Sequence, residues 1–460
     1  VGFAMAEKHL AAKYNKDDYK IVDHYTYTLL GDGCMMEGIS SEASSLAGTL
    51  GLGKLIAIYD DNEISIEGST DIAFKEDVQM RYKAYGWQVI DVPDGNDIDA
   101  ISSAIKEAKQ DTDRPSLIVC HTKIGYGCPA KQGRASAHGE PLGKENLIET
   151  KKNLGWPVDK EFYVPQEVYD FTAEVSKKGQ QAENSWKESF AEYEKQYPEL
   201  AKQYKDDFSG NLPDLWNDKE MFEFEGAAAT RASSGTTLNR IAKKVPNMFG
   251  GSADLAPSNK SYLSGQGDFS KETPEGKNIH FGVREHAMAA IGNGIALHGG
   301  LHPYVATFFV FSDYLKPAVR LSALMNQKLI YILTHDSIGV GEDGPTHQPI
   351  EQLKSLISIR GMTVMRPADS KETAASWIYA MEAEGPTALV LTRQNLPLYD
   401  SSSPKGVAKG AYILSDSDKE VPDVLLLASG SEVELCMNAK SALMSQGIDA
   451  RVVSMPSFEV

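Results

Sequence analysis

The sequence contains little cysteine and no long apolar run. Its 460 residues include only 4 cysteines, and no two of them form a CxxC pair. This spacing indicates neither a disulfide framework nor a zinc site, and it favours a reducing, cytoplasmic location. The longest apolar stretches, such as residues 424–428, are far shorter than the roughly 20 residues needed to cross a bilayer. We therefore expect no membrane partner.

Positive charge is also scarce. Asp and Glu number 64 against 46 Lys and Arg, which gives a formal net charge of -18, and no block of basic residues occurs. This balance argues against nucleic acid as a partner. Any site for a phosphorylated ligand must therefore be basic locally. With 42% hydrophobic residues, a chain of this length can bury more than one core and predicts roughly two to four domains.

Neither end of the sequence resembles the end of a domain. Residues 1–10 resemble the middle of an Ala-rich helix and carry no signal-peptide pattern. Residues 450–455 predict a strand that enters a turn at Pro456. We expect the native N-terminus to precede Val1 and the native chain to continue beyond Val460.

Short apolar strands alternate with helical patterns in two successive stretches, which predicts α/β domains built on parallel sheets. The strand candidates are residues 27–30, 55–59, 87–90 and 117–120 in the first stretch, and 247–251, 302–307, 329–334, 363–366 and 388–392 in the second. Between them, residues 165–208 predict a helical connector interrupted at Pro198. A third α/β domain begins with the strand at 424–428. The predicted domains are 1–205, which ends in the connector, 222–395, and an incomplete 410–460.

Two polar motifs follow the first two predicted strands. Gly31-Asp32-Gly33 ends the first strand, and Asp60-Asp61-Asn62 ends the second. Because ligands gather at the carboxyl ends of parallel strands, both motifs should face one crevice. Asp32 and Asn62 offer hard oxygen ligands to Mg²⁺ or Ca²⁺, and the glycines and a helix beginning at about Glu37 suit a diphosphate. Taken alone, Gly-Asp-Gly is more simply a tight turn.

Together the two motifs resemble the signature of thiamine-diphosphate enzymes. The resemblance implies thiamine diphosphate as cofactor, with Mg²⁺ or Ca²⁺ held by Asp32, Asn62 and the carbonyl of Ile64, and with Gly33 and Glu37 beside the cofactor. The usual signature ends in Asn-Asn, whereas Asp61 precedes Asn62 here, a change that the transketolase branch tolerates. Residues 31–40, 53–62, 124–127 and 138–143 are similar to the transketolase family rather than to the wider superfamily.

The predicted second domain carries two further motifs. Arg284-Glu285-His286 runs from a strand end into a helix and alone could be a solvated helix start. The resemblance makes Glu285 the acid that bonds the cofactor's pyrimidine ring, a role favoured by an apolar pocket that raises its pKa. Phe308, Phe311 and Tyr314 recur at three-residue steps, which predicts one face of a helix or helical turn. Such a stripe is more often core, but the resemblance implies that it lines the pyrimidine, with Phe311 stacked on it.

The substrate residues are also implied by the resemblance, and residues 335–349 are the most discriminating segment for it. His335 contacts the sugar phosphate, and Asp343 binds the hydroxyl that sets stereochemistry. His138 and His347 act near the reacting carbonyl and are catalytic with Glu285; the histidine that many relatives carry shortly before His138 is replaced by residues 134–137. The remaining phosphate contacts are Arg231, Ser258 and Arg393. Without the family, a lone loop histidine is usually solvated and each arginine a surface salt-bridge partner.

The activity implied is transfer of a two-carbon ketol unit from a ketose phosphate, such as xylulose 5-phosphate, to an aldose phosphate, such as ribose 5-phosphate or erythrose 4-phosphate. These reactions belong to the pentose phosphate pathway and the Calvin cycle. The resemblance also implies a homodimer with active sites at the subunit interface, and diphosphate-contacting histidines that precede Val1. Two alternatives remain: a ketol transferase similar to dihydroxyacetone synthase, and a non-catalytic relative that binds thiamine diphosphate.

Overall fold

The structure is a computed structural model that describes residues 1–460. The chain divides into two compact units. One holds Val1 and Leu10–Gln203, and the other holds Gly2–His9 and Tyr204–Val460. Both are α/β units with parallel sheets, which confirms the predicted fold class. No helix combines the length and apolar character that a membrane crossing requires.

The first unit is built on a four-stranded parallel sheet in the order β1-β2-β4-β3. Its strands are β1 (Thr26–Gly31), β2 (Leu55–Asp61), β3 (Gln88–Val92) and β4 (Ser116–His121). The helices up to residue 209 are α1 (Gly2–Tyr14), α2 (Asp32–Met36), α3 (Gly38–Thr49), α4 (Val78–Ala84), α5 (Ile98–Ala108), α6 (Lys144–Asn153), α7 (Gln166–Gln196) and α8 (Pro198–Ser209). Ile56 and Ile118 of the central strands pack with Ala104 and Ala108 of α5, which closes one face of the sheet.

The predicted helical connector consists of α7 and α8. Most of α7 is exposed, and only Phe190 and Tyr193 of its 31 residues are buried. Pro198 is the first residue of α8, a position where the missing N–H costs no helical hydrogen bond. The proline therefore divides the connector into two helices, as predicted.

The second unit is built on a six-stranded parallel sheet in the order β10-β11-β9-β8-β6-β7. Its strands are β6 (Met248–Ser252), β7 (Asn278–His280), β8 (His302–Phe308), β9 (Ile330–Thr334), β10 (Thr363–Met365) and β11 (Thr387–Leu391), and a two-stranded antiparallel pair joins β5 (Ala228–Ala229) to β12 (Asn395–Leu396). The helices are α9 (Thr230–Lys244), α10 (Ala256–Asn259), α11 (Glu285–His298), α12 (Ser312–Leu324), α13 (Gln352–Ile357) and α14 (Ser370–Glu382). The fully buried Trp377 of α14 packs in the core with Leu238 of α9 and Leu389 of β11.

A small sheet follows in the same unit. β13 (Tyr412–Ser415) pairs antiparallel with β15 (Ala450–Ser454), and β14 (Val424–Ala428) pairs parallel with β15. The helices here are α15 (Pro404–Val407) and α16 (Glu432–Met444). The predicted strands at 424–428 and 450–455 are present.

One prediction about local structure was wrong in detail, and another was confirmed within one residue but missed a short helix. Phe308 is the last residue of β8, Phe309–Phe311 form a 3-10 turn, and Tyr314 lies in α12, so the three aromatic residues do not share one helical face. The helix expected from about Glu37 is preceded by the short α2, and Glu37 has extended backbone between α2 and α3. In both places the chain changes element inside the motif, which side-chain periodicity cannot reveal.

Candidate active site

The first polar crevice lies at the carboxyl edge of the four-stranded sheet. β1 and β2 pair so that Gly31 stands opposite Asp60, which places the two polar motifs side by side. The Tyr59 hydroxyl donates a hydrogen bond of 2.7 Å to Asp32 Oδ1. A pocket of about 370 Å³ opens here, and its lining includes Asp32, Tyr59 and Asp61. The sheet register thus brings together the acids that the sequence placed in one crevice.

The crevice holds negative charge that no side chain neutralises fully. Asp32 is only 4% exposed, and its Oδ2 atom has no hydrogen-bond partner. Burial and the charge of Asp32 raise the pKa of Asp61, and burial and the bond to Asp32 raise the pKa of Tyr59. An unpartnered buried carboxylate oxygen beside a second acid is suited to a divalent cation.

The other predicted metal and cofactor residues lie close in the chain to residues that line this crevice. Asn62 Oδ1 accepts from the Ile64 N–H at 3.1 Å, so Asn62 and Ile64 share one short turn. No atom lies within 4 Å of the position a Cβ would take at Gly33, which leaves its backbone open to a ligand. Glu37 is exposed. No group of three or more His, Cys, Asp and Glu side chains could hold a metal by itself, so a cation here would need amide, backbone or ligand oxygens.

His138 is not brought into this pocket. It follows the 3-10 turn Ala135–Ala137, its side chain is exposed, and only its backbone N–H makes a hydrogen bond, to Ala135. The predicted catalytic role of His138 therefore has no supporting contact within the chain.

A second cluster lies at the carboxyl edge of the six-stranded sheet, where Arg231 and Arg393 converge. The threonines that precede them are bonded together, since Thr392 N–H donates to Thr230 Oγ1 at 2.7 Å. Arg231 Nη1 donates to the Ser258 carbonyl at 2.8 Å and lies 3.4 Å from His335 Nε2. The structure thus brings together the four residues that sequence analysis assigned to phosphate binding, which are Arg231, Ser258, His335 and Arg393.

Neither arginine in this cluster has a carboxylate partner. Burial and the charge of Arg393 lower the pKa of Arg231, which shows that the two guanidinium groups act on one another. Two adjacent cations without counterions are unusual in a chain of net charge -18. Guanidinium groups bind phosphate through paired N–H donors, so this arrangement suits a dianion.

His335 is held in an uncommon conformation beside these arginines. It is 4% exposed, and its φ of 64° lies in the left-handed region, which costs a non-glycine residue on the order of 1 kcal/mol. Its ring centroid lies 3.9 Å from that of Phe308. Burial, Arg231 and Arg393 together lower the pKa of His335 to about 4, against the opposing charge of Asp343. His335 is therefore neutral near pH 7.

Aromatic side chains form a wall next to the cluster. The rings of Phe308 and Phe311 are nearly parallel, with centroids 6.0 Å apart, and Tyr314 continues the row 6.1 Å from Phe311. His347 stands edge-on, 5.4 Å from the Phe311 ring. The three aromatic residues therefore do line one surface, although they come from a strand, a turn and a helix.

Glu285 begins α11 and is 8% exposed. The preceding segment contains Gly282, whose φ of 65° suits glycine, and Arg284 Nη1 donates to the Phe281 carbonyl at 2.9 Å. The sequence thus places an acid in buried surroundings at a helix start, as the proposed role requires.

Three family profiles match the chain end to end. They are the thiamine diphosphate binding domain of transketolase over residues 1–213, its pyrimidine binding domain over residues 226–398, and the transketolase-like C-terminal domain over residues 410–460. The chain belongs to the transketolase family. It is therefore an enzyme of the transferase class. The Asp32 crevice lies within the first profile, and Glu285 and the arginine cluster lie within the second.

Individual transketolases agree with this assignment. The enzyme of Halalkalibacterium halodurans is 54% identical over 464 residues, which cover 100% of this chain and 69% of the relative. That of Geobacillus stearothermophilus is 52% identical over 465 residues, which cover 100% of this chain and 70% of the relative. A structure of transketolase from Pichia stipitis in complex with sedoheptulose 7-phosphate has a TM-score of 0.95 at 45% identity, with 100% of this chain and 69% of the other covered. Transketolase from Leishmania mexicana has a TM-score of 0.97 at 43% identity, with 100% and 68% covered.

Sequence analysis missed Asp336 and Arg366, a buried ion pair whose acid directly follows His335 in the chain. Arg366 Nε donates to Asp336 Oδ2 at 2.9 Å, and burial raises the pKa of Asp336 although Arg366 opposes it. Arg366 Nη1 also donates to the Ser429 carbonyl at 3.2 Å and to Glu432. Asp336 could have been suspected because it follows His335, but nothing in the sequence links Arg366 to either partner.

Proposed function

We propose that this transketolase-family chain transfers a two-carbon ketol unit from a ketose phosphate, such as xylulose 5-phosphate, to an aldose phosphate, such as ribose 5-phosphate. The observation that carries the proposal is the pair of uncompensated guanidinium groups, Arg231 and Arg393, beside His335. A sugar phosphate would neutralise them. The similar Pichia stipitis enzyme has been solved in complex with a sugar phosphate, which supports the same ligand class here.

The acid pair in the first unit supports a metal-bound diphosphate. Asp32, Asn62 and the Ile64 carbonyl would hold Mg²⁺ or Ca²⁺, and Gly33 and Glu37 would lie beside the cofactor. The fit rests on the buried Oδ2 of Asp32, which has no protein partner, and on hard oxygen donors. Thiamine diphosphate, when bound, supplies the carbon nucleophile and electron sink that ketol transfer requires.

The chain's own residues divide the remaining tasks. Glu285 would hold a proton at the pyrimidine nitrogen, which a buried acid can do. Phe308, Phe311 and Tyr314 would form the apolar wall beside that ring. His138 and His347 would move protons at the sugar carbonyl and hydroxyl, and Asp343 would orient a hydroxyl. The phosphate contacts would be Arg231, Ser258, His335 and Arg393.

The proposal includes a homodimer with active sites at the subunit interface. Large apolar side chains are exposed in the segments that carry the proposed site, since Val283 near Glu285 is 75% exposed and Tyr314 is 63% exposed. A partner subunit would cover such side chains. All four cysteines are free thiols, which supports the cytoplasmic location we propose.

Turnover of xylulose 5-phosphate with ribose 5-phosphate tests the function. We expect activity that depends on both thiamine diphosphate and Mg²⁺. Arg393→Ala should raise the KM for ribose 5-phosphate at least about tenfold, because a charged hydrogen bond is lost, and should raise it far less for glycolaldehyde, which has no phosphate. Arg360→Ala, which removes an exposed arginine, is the matched control. Equal effects on both acceptors would remove Arg393 from phosphate binding, and a preference for formaldehyde as acceptor would favour a dihydroxyacetone synthase.

A further inference from the structure

A continuous chain of buried polar side chains runs beneath His335. Ser252 ends β6, Asn259 ends α10 and Thr334 ends β9. All three are buried, with Asn259 and Thr334 at 0% exposure. None of them has a place in the function proposed above, yet the last of them, Thr334, contacts the ring of His335, which does.

At the Ser252 end of this polar chain, a backbone N–H fixes the direction of each hydrogen bond. Leu255 N–H donates to Ser252 Oγ at 3.0 Å, so the Ser252 hydroxyl is free to donate to Asn259 Oδ1, 2.8 Å away. Asn259 therefore turns its NH₂ group to Thr334 and donates to Oγ1 at 2.7 Å. The orientation of the amide is thereby fixed.

The direction at the other end follows from Arg231. A guanidinium group can only donate, so His335 Nε2, which lies 3.4 Å from Arg231 Nη1, acts as the acceptor. The proton of the neutral ring is then on Nδ1, which donates to Thr334 Oγ1 at 2.9 Å. The Thr334 oxygen accepts from both sides and uses its two lone pairs.

The surroundings of His335 agree with a neutral, fixed ring. Phe308 covers one face of the ring, and the groups that act on its charge are Arg231, Arg393, Asp343 and His347. Burial and the two arginines outweigh Asp343 and lower the pKa of His335 to about 4.

We propose that Ser252, Asn259 and Thr334 are positioning residues that, together with Arg231, hold His335 with its proton on Nδ1 and its Nε2 lone pair toward the arginine cluster. The proposal rests on the proposed function, because it concerns the same phosphate site. A lone pair repels a phosphate dianion, so His335 takes up one proton from solvent at Nε2 when the phosphate binds. The charged ring then donates from Nε2 to the phosphate and from Nδ1 to Thr334.

Calorimetric titration of the full chain with ribose 5-phosphate at about pH 7.5, where the phosphate is mostly a dianion, tests this coupling. Binding heats in two buffers of different ionisation enthalpy give the number of protons taken up. We expect the wild-type chain to take up a substantial fraction of one proton for each sugar phosphate bound. Thr334→Val leaves the Nδ1 proton without an acceptor, which weakens the hold on the tautomer and orientation of the ring, so proton uptake should fall clearly below that of the wild type, and Thr334→Ser should restore it.

Thr387→Val is the matched control, because this buried hydroxyl on the neighbouring strand β11 has no hydrogen-bond partner and its loss should leave proton uptake unchanged. Proton uptake that is unchanged in Thr334→Val, or absent in the wild type, would overturn the positioning role of these residues but would leave the proposed function standing. Unchanged affinity in His335→Asn would instead count against His335 as a phosphate contact, and so against the proposed site.

Because Thr334→Val could fail to fold, ¹⁵N NMR of histidine-labelled wild-type chain gives a second test. The His335 signal is identified by its absence in His335→Asn. If this signal shows the proton on Nε2 in the ligand-free chain, the proposal is contradicted.

Discussion

At the scale of single residues, the two clusters carry uncompensated charge of opposite sign. Asp32 keeps a buried oxygen without a partner beside Asp61, and Arg231 lies beside Arg393 without a carboxylate. Unpaired buried charge destabilises a folded chain unless a ligand compensates it. The buried Asp32 oxygen therefore lowers the stability of the ligand-free protein. Solvent screens the repulsion between the partly buried Arg231 and the exposed Arg393, so that pair costs less stability while still favouring an anionic ligand.

Asp32→Asn should have effects of opposite sign with and without ligand. In the metal-free chain the substitution removes repulsion between Asp32 and Asp61, so the Tm should stay the same or rise. Addition of Mg²⁺ and thiamine diphosphate should raise the Tm of the wild type but not that of the variant. Thermal unfolding measured with and without both ligands checks this. Asp71→Asn, at an exposed acid in the same pocket, is the control, and an equal ligand-induced rise in all three proteins would rule out Asp32 as a metal ligand.

His335 should make the stability of the chain depend on pH. Its pKa is about 4 in the folded chain and 6.5 ordinarily. Between these values the unfolded chain binds a proton that the folded chain does not, so the free energy of unfolding falls as the pH is lowered from 6.5 toward 4. Below about 4 both states carry the proton and this contribution no longer changes.

His335→Asn should reduce that dependence, and asparagine tolerates the left-handed backbone at this position. Urea unfolding at steps between about pH 7 and about pH 4 compares the slopes. The exposed His138 serves as the comparison, because His138→Asn removes a histidine whose side chain makes no hydrogen bond. Identical slopes for wild type and His335→Asn would mean that the folded chain binds a proton at this site as readily as the unfolded chain.

At the scale of elements, α14 connects the six-stranded sheet with the small sheet that follows it. Glu372 of α14 is buried, and its Oε1 accepts from Tyr412 of β13 at 2.7 Å and from Ser454 of β15 at 2.6 Å. Burial and Asp369 raise the pKa of Glu372 to about 7. A buried carboxyl with donors from two different strands fixes the position of that sheet on α14.

Tyr412→Phe should therefore destabilise this unit. Loss of a donor to a buried carboxyl costs about 1 to 3 kcal/mol, which urea unfolding at pH 8 would reveal as a lower midpoint. Tyr262→Phe removes a hydroxyl that donates to the exposed Asp268, and it should change the free energy of unfolding by less than about 0.5 kcal/mol. Similar small effects in both variants would show that the Glu372 contacts do not stabilise the junction.

Strands with apolar runs could be predicted from the sequence, and so could the three-residue β10, whereas β5, β7 and β12 could not. The runs at 55–59, 117–120, 302–307 and 388–392 became β2, β4, β8 and β11, because buried central strands of a parallel sheet are apolar on both faces. β7 has three residues, and β5 and β12 have two each. Such strands exist only through their partners across the sheet, which local composition does not reveal.

The candidate site was predicted by motif, and its contacts were not. The arginines were identified from residues around them, but their convergence depends on the bond between Thr230 and Thr392, which are 162 residues apart. The polar chain from Ser252 to His335 likewise needs strand order, since β6 and β9 are both neighbours of β8. Contacts of this kind follow from tertiary packing and leave no local signal.

At the scale of the whole molecule, the proposed dimer gives a prediction that a single subunit does not give. If Asp32 of one subunit and Glu285 of another share one active site, Asp32→Ala and Glu285→Ala should each be inactive. Mixed dimers of the two variants would regain one intact site, so co-expression in equal amounts should restore about a quarter of wild-type activity in a twofold-symmetric dimer.

Assays of the two variants, singly and co-expressed with different tags, measure this restoration. Two copies of the Asp32→Ala chain with different tags are the control and should stay inactive. Absence of restored activity in purified mixed dimers would mean that both residues act within one subunit. A monomer in light scattering would reject the shared site altogether.

The contact of Arg366 with residues 429–432 has a consequence for protein engineering. Gly430 has a φ of 56°, and a Cβ there would stand 2.8 Å from Arg366 Nε. A side chain at this remote glycine would push Arg366 away from Asp336 and so disturb the turn that carries His335. Libraries meant to alter the proposed phosphate site can therefore include Gly430 in the C-terminal segment, which acts on His335 through Arg366 and Asp336.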